Sequence, residues 1–170
     1  MPETVFLSLQ YANVILLQGE GQHGEDSDQI PGENGMIYIT GDTHGDFARF
    51  SAKRLRRAGM ELTQEDYIII CGDFGLCWAK DKTFEYHCKN FAEKPYTILW
   101  VQGNHENYDL IGEYPLEEWH GGKVRHIIRD KVILLERGQV FEIEGKSFFA
   151  FGGASSHDTV SYTHLTLPTI

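Results

Sequence analysis

The stretch ITGDTHGDF, Ile39 to Phe47, places two glycines and two aspartates directly after an apolar segment. Asp and His are poor strand formers, and glycine is costly inside any regular element. A strand must therefore end here, and a tight loop must begin. For one such loop an ordinary turn is an equally good explanation, because Gly and Asp are common turn residues.

This change from an apolar strand to a polar loop occurs three times along the chain. Each strand is a short, continuous apolar run of the type found in buried parallel sheets. The strands and their loops are MIYIT (36–40) with GDTHG (41–45), YIIIC (67–71) with GDFG (72–75), and TILWVQ (97–102) with GNHE (103–106). One turn-forming Gly-Asp pair is weak evidence for a site, whereas three such loops at successive strand ends are strong evidence.

Helical segments lie between these strands. The segments FARFSAKRLRRAG (47–59) and KTFEYHCKNFAEK (82–94) carry apolar residues at helical spacing. Strands that alternate with helices predict a parallel sheet with helices on both faces.

The pattern changes after residue 122 to strands separated by short turns. We interpret RGQ (137–139) and EGK (144–146) as hairpin connections. The predicted fold class is therefore α/β, with a βαβαβ parallel sheet followed by antiparallel strands.

The polar side chains of the three loops are expected to converge, because the carboxyl ends of parallel strands share one edge of the sheet. Open α/β folds bind their ligands at that edge. The candidate site residues are Asp42, His44, Asp73, Asn104 and His105. Each offers an oxygen or imidazole ligand and none is a thiolate, so the set suits Mn, Fe, Zn or a similar divalent ion.

The three loops resemble the opening motifs of the calcineurin-like metallophosphoesterase superfamily, GDxHG, GDxxD/G and GNHE/D. The resemblance covers roughly Met36 to Asp158. It implies a metallophosphoesterase β-sandwich and a site that hydrolyses phosphoesters with two divalent metal ions.

The resemblance also implies a role for each site residue. Asp42 and His44 would bind the first ion, and Asp73 would bridge both ions, which suits a carboxylate because it has lone pairs for two. Asn104 would bind the second ion through its amide oxygen. His105 would stay off the metals and would stabilise the phosphate or protonate the leaving oxygen.

Two functional classes remain open at this stage. The first is a phosphatase or phosphodiesterase whose substrate is a phosphoprotein, a nucleotide or a small phosphoester. The alternative is a non-catalytic binding scaffold with the same fold. We favour the enzyme because a degenerate scaffold usually loses Asp or His from these motifs, and this chain retains every one that falls within its span.

The two ends of the chain are expected to lie outside the domain, which we assign to 36–159. Residues 1–35 carry six acidic and no basic residues. We interpret them as a disordered or non-native leader with few contacts. The apolar part of this leader, VFLSLQYANVILLQ, is predicted to form one strand or short helix without an obvious packing partner. The uncharged residues 160–170 are interpreted as a non-native tail. The family's later GHxH motif is not found, so we expect an incomplete sandwich, weak metal binding and impaired activity in this chain.

Composition excludes several other classes of function. The formal net charge is -10, which argues against a general nucleic-acid or anionic-membrane surface. Three cysteines without paired short spacings do not indicate a disulfide framework, and no apolar run reaches transmembrane length. We therefore expect a cytoplasmic protein; its oligomeric state is left open.

The remaining conspicuous side chains receive structural interpretations. His87, His120 and His126 do not follow a strand-end loop. Three aromatic residues that follow the motif loops either border a substrate pocket or pack in the core: Phe74, Trp78 and Tyr108.

Overall fold

The computed structural model describes residues 4–9, 12–17, 35–41 and 43–152, which form two β-sheets and four helical segments. The strands are β1 (Thr4–Leu9), β2 (Ala12–Leu17), β3 (Ile37–Thr40), β4 (Tyr67–Cys71), β5 (Thr97–Val101), β6 (Glu117–Trp119), β7 (Gly122–Ile128), β8 (Val132–Leu135), β9 (Gln139–Ile143) and β10 (Lys146–Gly152). The helical segments are a 3-10 helix (Phe47–Phe50), α1 (Ala52–Arg57), α2 (Lys82–Ala92) and α3 (Tyr108–Gly112).

The larger sheet has six strands in the order β3-β4-β5-β8-β7-β6. Its first four strands are parallel, and β7 and β6 are antiparallel. The smaller sheet has the order β1-β2-β10-β9 and is antiparallel throughout. The predicted α/β class, with parallel strands followed by antiparallel ones, is confirmed.

The predicted helices are found, with changes that local hydrogen bonds explain. The segment 47–59 is divided at Ser51, whose backbone is extended and whose Oγ accepts a hydrogen bond from the N–H of Arg54 at 3.4 Å. The segment 82–94 forms α2, which begins after Asp81 because Asp81 Oδ1 accepts the N–H of Phe84 at 2.9 Å.

Apolar side chains pack in two clusters on opposite faces of the larger sheet. On one face Ile70 and Trp100 pack with Phe50, Phe91 and other apolar residues of the helical segments. On the other face Ile69 and Leu99 of the larger sheet pack with residues of the smaller sheet, which are Phe141, Phe148 and Ala150.

The prediction of helices on both faces is therefore wrong in one respect. Among the described residues, the helices share a single face, and the smaller sheet covers the other. Strands that are buried on both faces read as continuous apolar runs whichever layer covers them. The sequence pattern consequently could not distinguish a helix layer from a second sheet.

One of the two predicted hairpins is confirmed. EGK joins the antiparallel neighbours β9 and β10, and both Glu144 and Gly145 have the positive φ that tight hairpin turns require. RGQ is not a hairpin, because it leads from β8 in the larger sheet to β9 in the smaller one. This short connection carries the chain from one layer of the sandwich to the other.

The apolar segment near the N-terminus differs from its prediction. It forms two strands, β1 and β2, instead of one element without a packing partner. Strand β2 pairs with β10 over six residues, from Ala12 beside Gly152 to Leu17 beside Ser147. The open edge of β10 supplied backbone partners that no local pattern could reveal.

Other predictions fall on residues outside the described ranges. These are the predicted disorder of the Gly-rich acidic segment 19–35, all of which except Gly35 lies outside the described ranges, the position of Asp42, and the interpretation of the tail 160–170. Among the described residues, the longest helix has 11 residues, and none has the length and apolarity needed to cross a membrane.

We expect the buried Cys77 and the half-buried Cys88 to resist alkylation in the folded chain. Burial raises the pKa of the Cys77 thiol, and it raises that of Cys88 to about 11. Because only the thiolate reacts, labelling with iodoacetamide at neutral pH should be at least about tenfold slower than in the urea-unfolded chain. Mass spectrometry of timed samples measures both rates, and equal rates would contradict the described burial.

Candidate metal centre

The three predicted loops leave neighbouring parallel strands at one edge of the larger sheet, with β4 at the centre. The GDTHG loop is joined to the GDFG loop by its backbone: the N–H of His44 donates to Asp73 O at 2.8 Å, and the N–H of Gly45 donates to Phe74 O at 3.1 Å. The hydroxyl of Thr43 also donates to Phe74 O, at 3.0 Å. The central loop is therefore fixed from one side by main-chain contacts.

The GNHE loop fixes the same central loop from the other side. The N–H of His105 donates to Asp73 Oδ1 at 2.7 Å. In return, the N–H of Phe74 donates to Glu106 Oε1 at 2.9 Å. Asp73 is thus held through its backbone by one neighbour and through its carboxylate by the other.

His44, Asp73 and His105 form a group whose ligand atoms lie within 4.8 Å of one another. Asp73 Oδ2 is 3.2 Å from His105 Nδ1 and 3.9 Å from His44 Nε2. The Asp73 side chain is 2% exposed, whereas that of His44 is 58% exposed. A buried carboxylate flanked by two solvent-facing imidazoles can receive a cation from solution.

The backbone of this site is strained at two residues of this group. His44 has φ of 44° and Asp73 has φ of 41°, in the left-handed region that residues other than glycine rarely adopt. Such conformations cost about 1–3 kcal/mol each and persist where the surrounding structure enforces them, which is often at functional sites. Here the hydrogen bonds from the flanking loops enforce them.

Asn104 carries an unsatisfied polar atom beside this group. Its side chain is 6% exposed, and Oδ1 has no hydrogen-bond partner in the described part of the chain. Its Nδ2 lies 3.3 Å from His105 Nδ1. A buried amide oxygen without a partner costs about 1–3 kcal/mol, so this atom is suited to a cation that satisfies it. The donors present therefore fit the divalent ion that the sequence predicted.

The calcineurin-like phosphoesterase family model matches residues 35–168. The chain belongs to this family. Comparison with curated proteins and with solved structures gives no significant match.

In this calcineurin-like phosphoesterase, the structure brings together three of the five predicted site residues, and the fourth, Asn104, follows in the same loop as His105. Asp42 lies outside the described residues. His105, which the family resemblance places off the metals, lies beside the Asp73 carboxylate. Within the described ranges, His87, His120 and His126 belong to no such group.

The three aromatic residues near the loops have different environments. Phe74 is fully buried, and its ring centroid lies 5.5 Å from that of Trp100, so it is a core residue. Tyr108 is anchored by its hydroxyl, which donates to Gly103 O. Trp78 is 53% exposed, and its carbonyl accepts a hydrogen bond from Asn107 Nδ2 at 2.7 Å. Contact between Trp78 and a substrate stays a prediction.

Glu106 is a residue of the site whose role the sequence reasoning missed. It is 1% exposed, and burial, assisted by the nearby charge of Asp73, raises its pKa to about 8. The hydrogen bond from the Phe74 N–H lowers the pKa of Glu106 and so partly opposes this rise. Trp100 also lies close enough to favour the ionised form of Glu106. Its indole N–H, however, makes no hydrogen bond of normal geometry among the described residues. The available signal was the position of Glu106 itself, the acidic last residue of the GNHE loop that follows the fully buried strand β5.

Replacement of Glu106 by Ala is expected to lower the free energy of unfolding by about 2–4 kcal/mol. The change leaves the buried N–H of Phe74 without a partner and opens a cavity. Replacement by Gln should cost less than about 1 kcal/mol, because an amide oxygen can still accept that hydrogen bond. Urea unfolding measures the free energy of unfolding of both variants. The control is Glu118→Ala, on the exposed side of β6. Equal losses for Ala and Gln would refute the hydrogen-bonding role.

Proposed function

We propose that this chain is a phosphoester hydrolase whose site holds two divalent ions. The observation that supports it is the convergence of His44, Asp73 and His105 at the carboxyl edge of a parallel sheet, beside the unsatisfied oxygen of Asn104. Family membership supports metal dependence and a phosphoester substrate. Mn, Fe and Zn are all compatible with oxygen and imidazole ligands.

Each ligand has a proposed position in this site. His44, together with Asp42, would hold the first ion, and Asn104 would hold the second through Oδ1. Asp73 would be shared by both. Its Oδ1 also accepts the N–H of His105, which fixes the orientation of the carboxylate before any ion binds.

The chemistry that such ions supply when bound is charge neutralisation on the phosphoryl group and a lowered pKa of a water molecule. The protein's own contribution is orientation and proton transfer. The His105 side chain is 36% exposed, and its ring is held near Asp73 Oδ2, so it can reach a substrate at the open edge. We assign His105 to stabilise the phosphate or to protonate the leaving oxygen.

Calorimetric titration of the metal-free chain with Mn²⁺, combined with hydrolysis of p-nitrophenyl phosphate and its bis ester, tests this function. We expect weak Mn²⁺ binding together with low turnover, in keeping with the impaired activity that the sequence predicts; EDTA should abolish this turnover and added Mn²⁺ should restore it. A comparison of the two esters distinguishes a monoesterase from a diesterase. Binding without turnover would favour the scaffold, and absence of binding would refute the metal site.

A further inference from the structure

A cavity of about 270 Å³ opens on the helical side of the larger sheet. Its apolar wall is formed by Phe50, Leu55, Leu62 and Tyr96. Tyr96 comes directly before β5, whereas the metal-centre loop follows it. Strand β5 has five residues, so it separates the two places by about 16 Å. The cavity is consequently distinct from the phosphoester site.

Part of the cavity wall is buried and held by a hydrogen bond. Phe50 and Tyr96 are 3% and 2% exposed, and the hydroxyl of Tyr96 donates to Phe50 O at 3.0 Å. This hydrogen bond ties the 3-10 helix to the start of β5. Burial raises the pKa of the Tyr96 hydroxyl, so it remains neutral at physiological pH. The apolar surface is thus already formed before a ligand arrives.

Two cations stand at the cavity, Arg56 of α1 and Lys94 from the segment after α2. Glu61 also lines it and offsets one of these charges. Among the described residues, no ion pair joins any of the three to a charged neighbour. The local charge is positive in a chain whose formal net charge is -10. Charged side chains around a defined cavity attract an anion and set its orientation.

The volume limits the size of the ligand. A cavity of about 150 Å³ holds a benzene ring, so this one accommodates a body of one or two fused rings. We propose that this cavity binds a small organic carboxylate. Arg56 and Lys94 hold the acidic group, and the apolar wall holds the ring or a short alkyl chain of similar size. This site is independent of phosphoester hydrolysis.

A pair of probes that differ only in charge tests the proposal. 2-Naphthoate carries the carboxylate, and 2-naphthamide is its neutral counterpart of the same shape. Titration followed by naphthyl fluorescence should show naphthoate binding about tenfold more tightly, because two partly exposed charge contacts together contribute about that factor.

The double variant Arg56→Gln/Lys94→Gln should lose about tenfold in affinity for naphthoate and leave that for naphthamide unchanged. The matched control is Lys123→Gln/Lys146→Gln, which removes the same charge from exposed positions on β7 and β10. The control should bind both probes as the unaltered chain does.

Filling the cavity provides a second variant that does not depend on charge. Ala52 lines the cavity from the exposed first turn of α1, where Ala52→Leu leaves the core untouched. We expect this variant to unfold at the same urea concentration as the unaltered chain and to lose its affinity for both probes. Equal affinity of the unaltered chain for the two probes, failure to bind either, or full binding by Ala52→Leu would overturn the proposal.

Discussion

Asp73→Asn is expected to lower Mn²⁺-dependent hydrolysis at least about a hundredfold, and Asn104→Ala about tenfold. Outer-shell substitutions at metal sites cost about 10–100-fold, so a charged ligand shared by two ions should cost more. In the proposed site, Asn104 would contribute a neutral oxygen to one ion only. Rates at saturating Mn²⁺, with Mn²⁺ affinity measured by calorimetry, give the comparison.

The Asn substitution is chosen because it keeps the shape of the side chain. An amide oxygen can still accept the N–H of His105 in place of Asp73 Oδ1, so the loop should keep its conformation. Asp130→Asn is the matched control, since the Asp130 side chain is 76% exposed and stands in a turn before β8. Wild-type rates in Asp73→Asn, after chelation and addition of Mn²⁺, would rule out the bridging role.

Much of this site could be predicted from the sequence because its geometry follows from strand order alone. Loops 41–45, 72–75 and 103–106 each follow a buried strand, and parallel pairing places those ends together. The resemblance then supplied roles for the residues. What the sequence could not supply was the set of contacts within the site, such as the backbone hydrogen bonds from His44 and His105 to Asp73.

The fold was predictable where the information is local. A turn pattern predicted the EGK hairpin correctly, and the helical spacing of apolar residues predicted α2. The pairing of β2 with β10 and the passage of RGQ between sheets depend on partners distant in sequence. The role of Glu106 was missed for the same reason: the hydrogen bond that it accepts from the Phe74 N–H joins residues that are 32 positions apart.

Gly103→Ala is expected to be the most destabilising single substitution that we propose. A Cβ atom at this position would lie 2.0 Å from Asp73 Oδ1 and 2.3 Å from Asp73 N. The side-chain oxygen can move, but the backbone nitrogen belongs to a loop that is hydrogen-bonded to both neighbouring loops. We expect a loss of about 3 kcal/mol or more in the free energy of unfolding, because overpacking against fixed backbone forces the main chain to shift.

The same displacement should weaken the metal centre, since it moves Asp73 away from the two histidines. Gly112→Ala is the control: nothing lies within 4 Å of its added Cβ, so its unfolding free energy should stay the same or rise by up to about 1 kcal/mol. Urea unfolding and Mn²⁺ titration of both variants separate the effects on fold and site. If Gly103→Ala unfolded like Gly112→Ala and bound Mn²⁺ normally, the close packing of the GNHE loop on Asp73 would be incorrect.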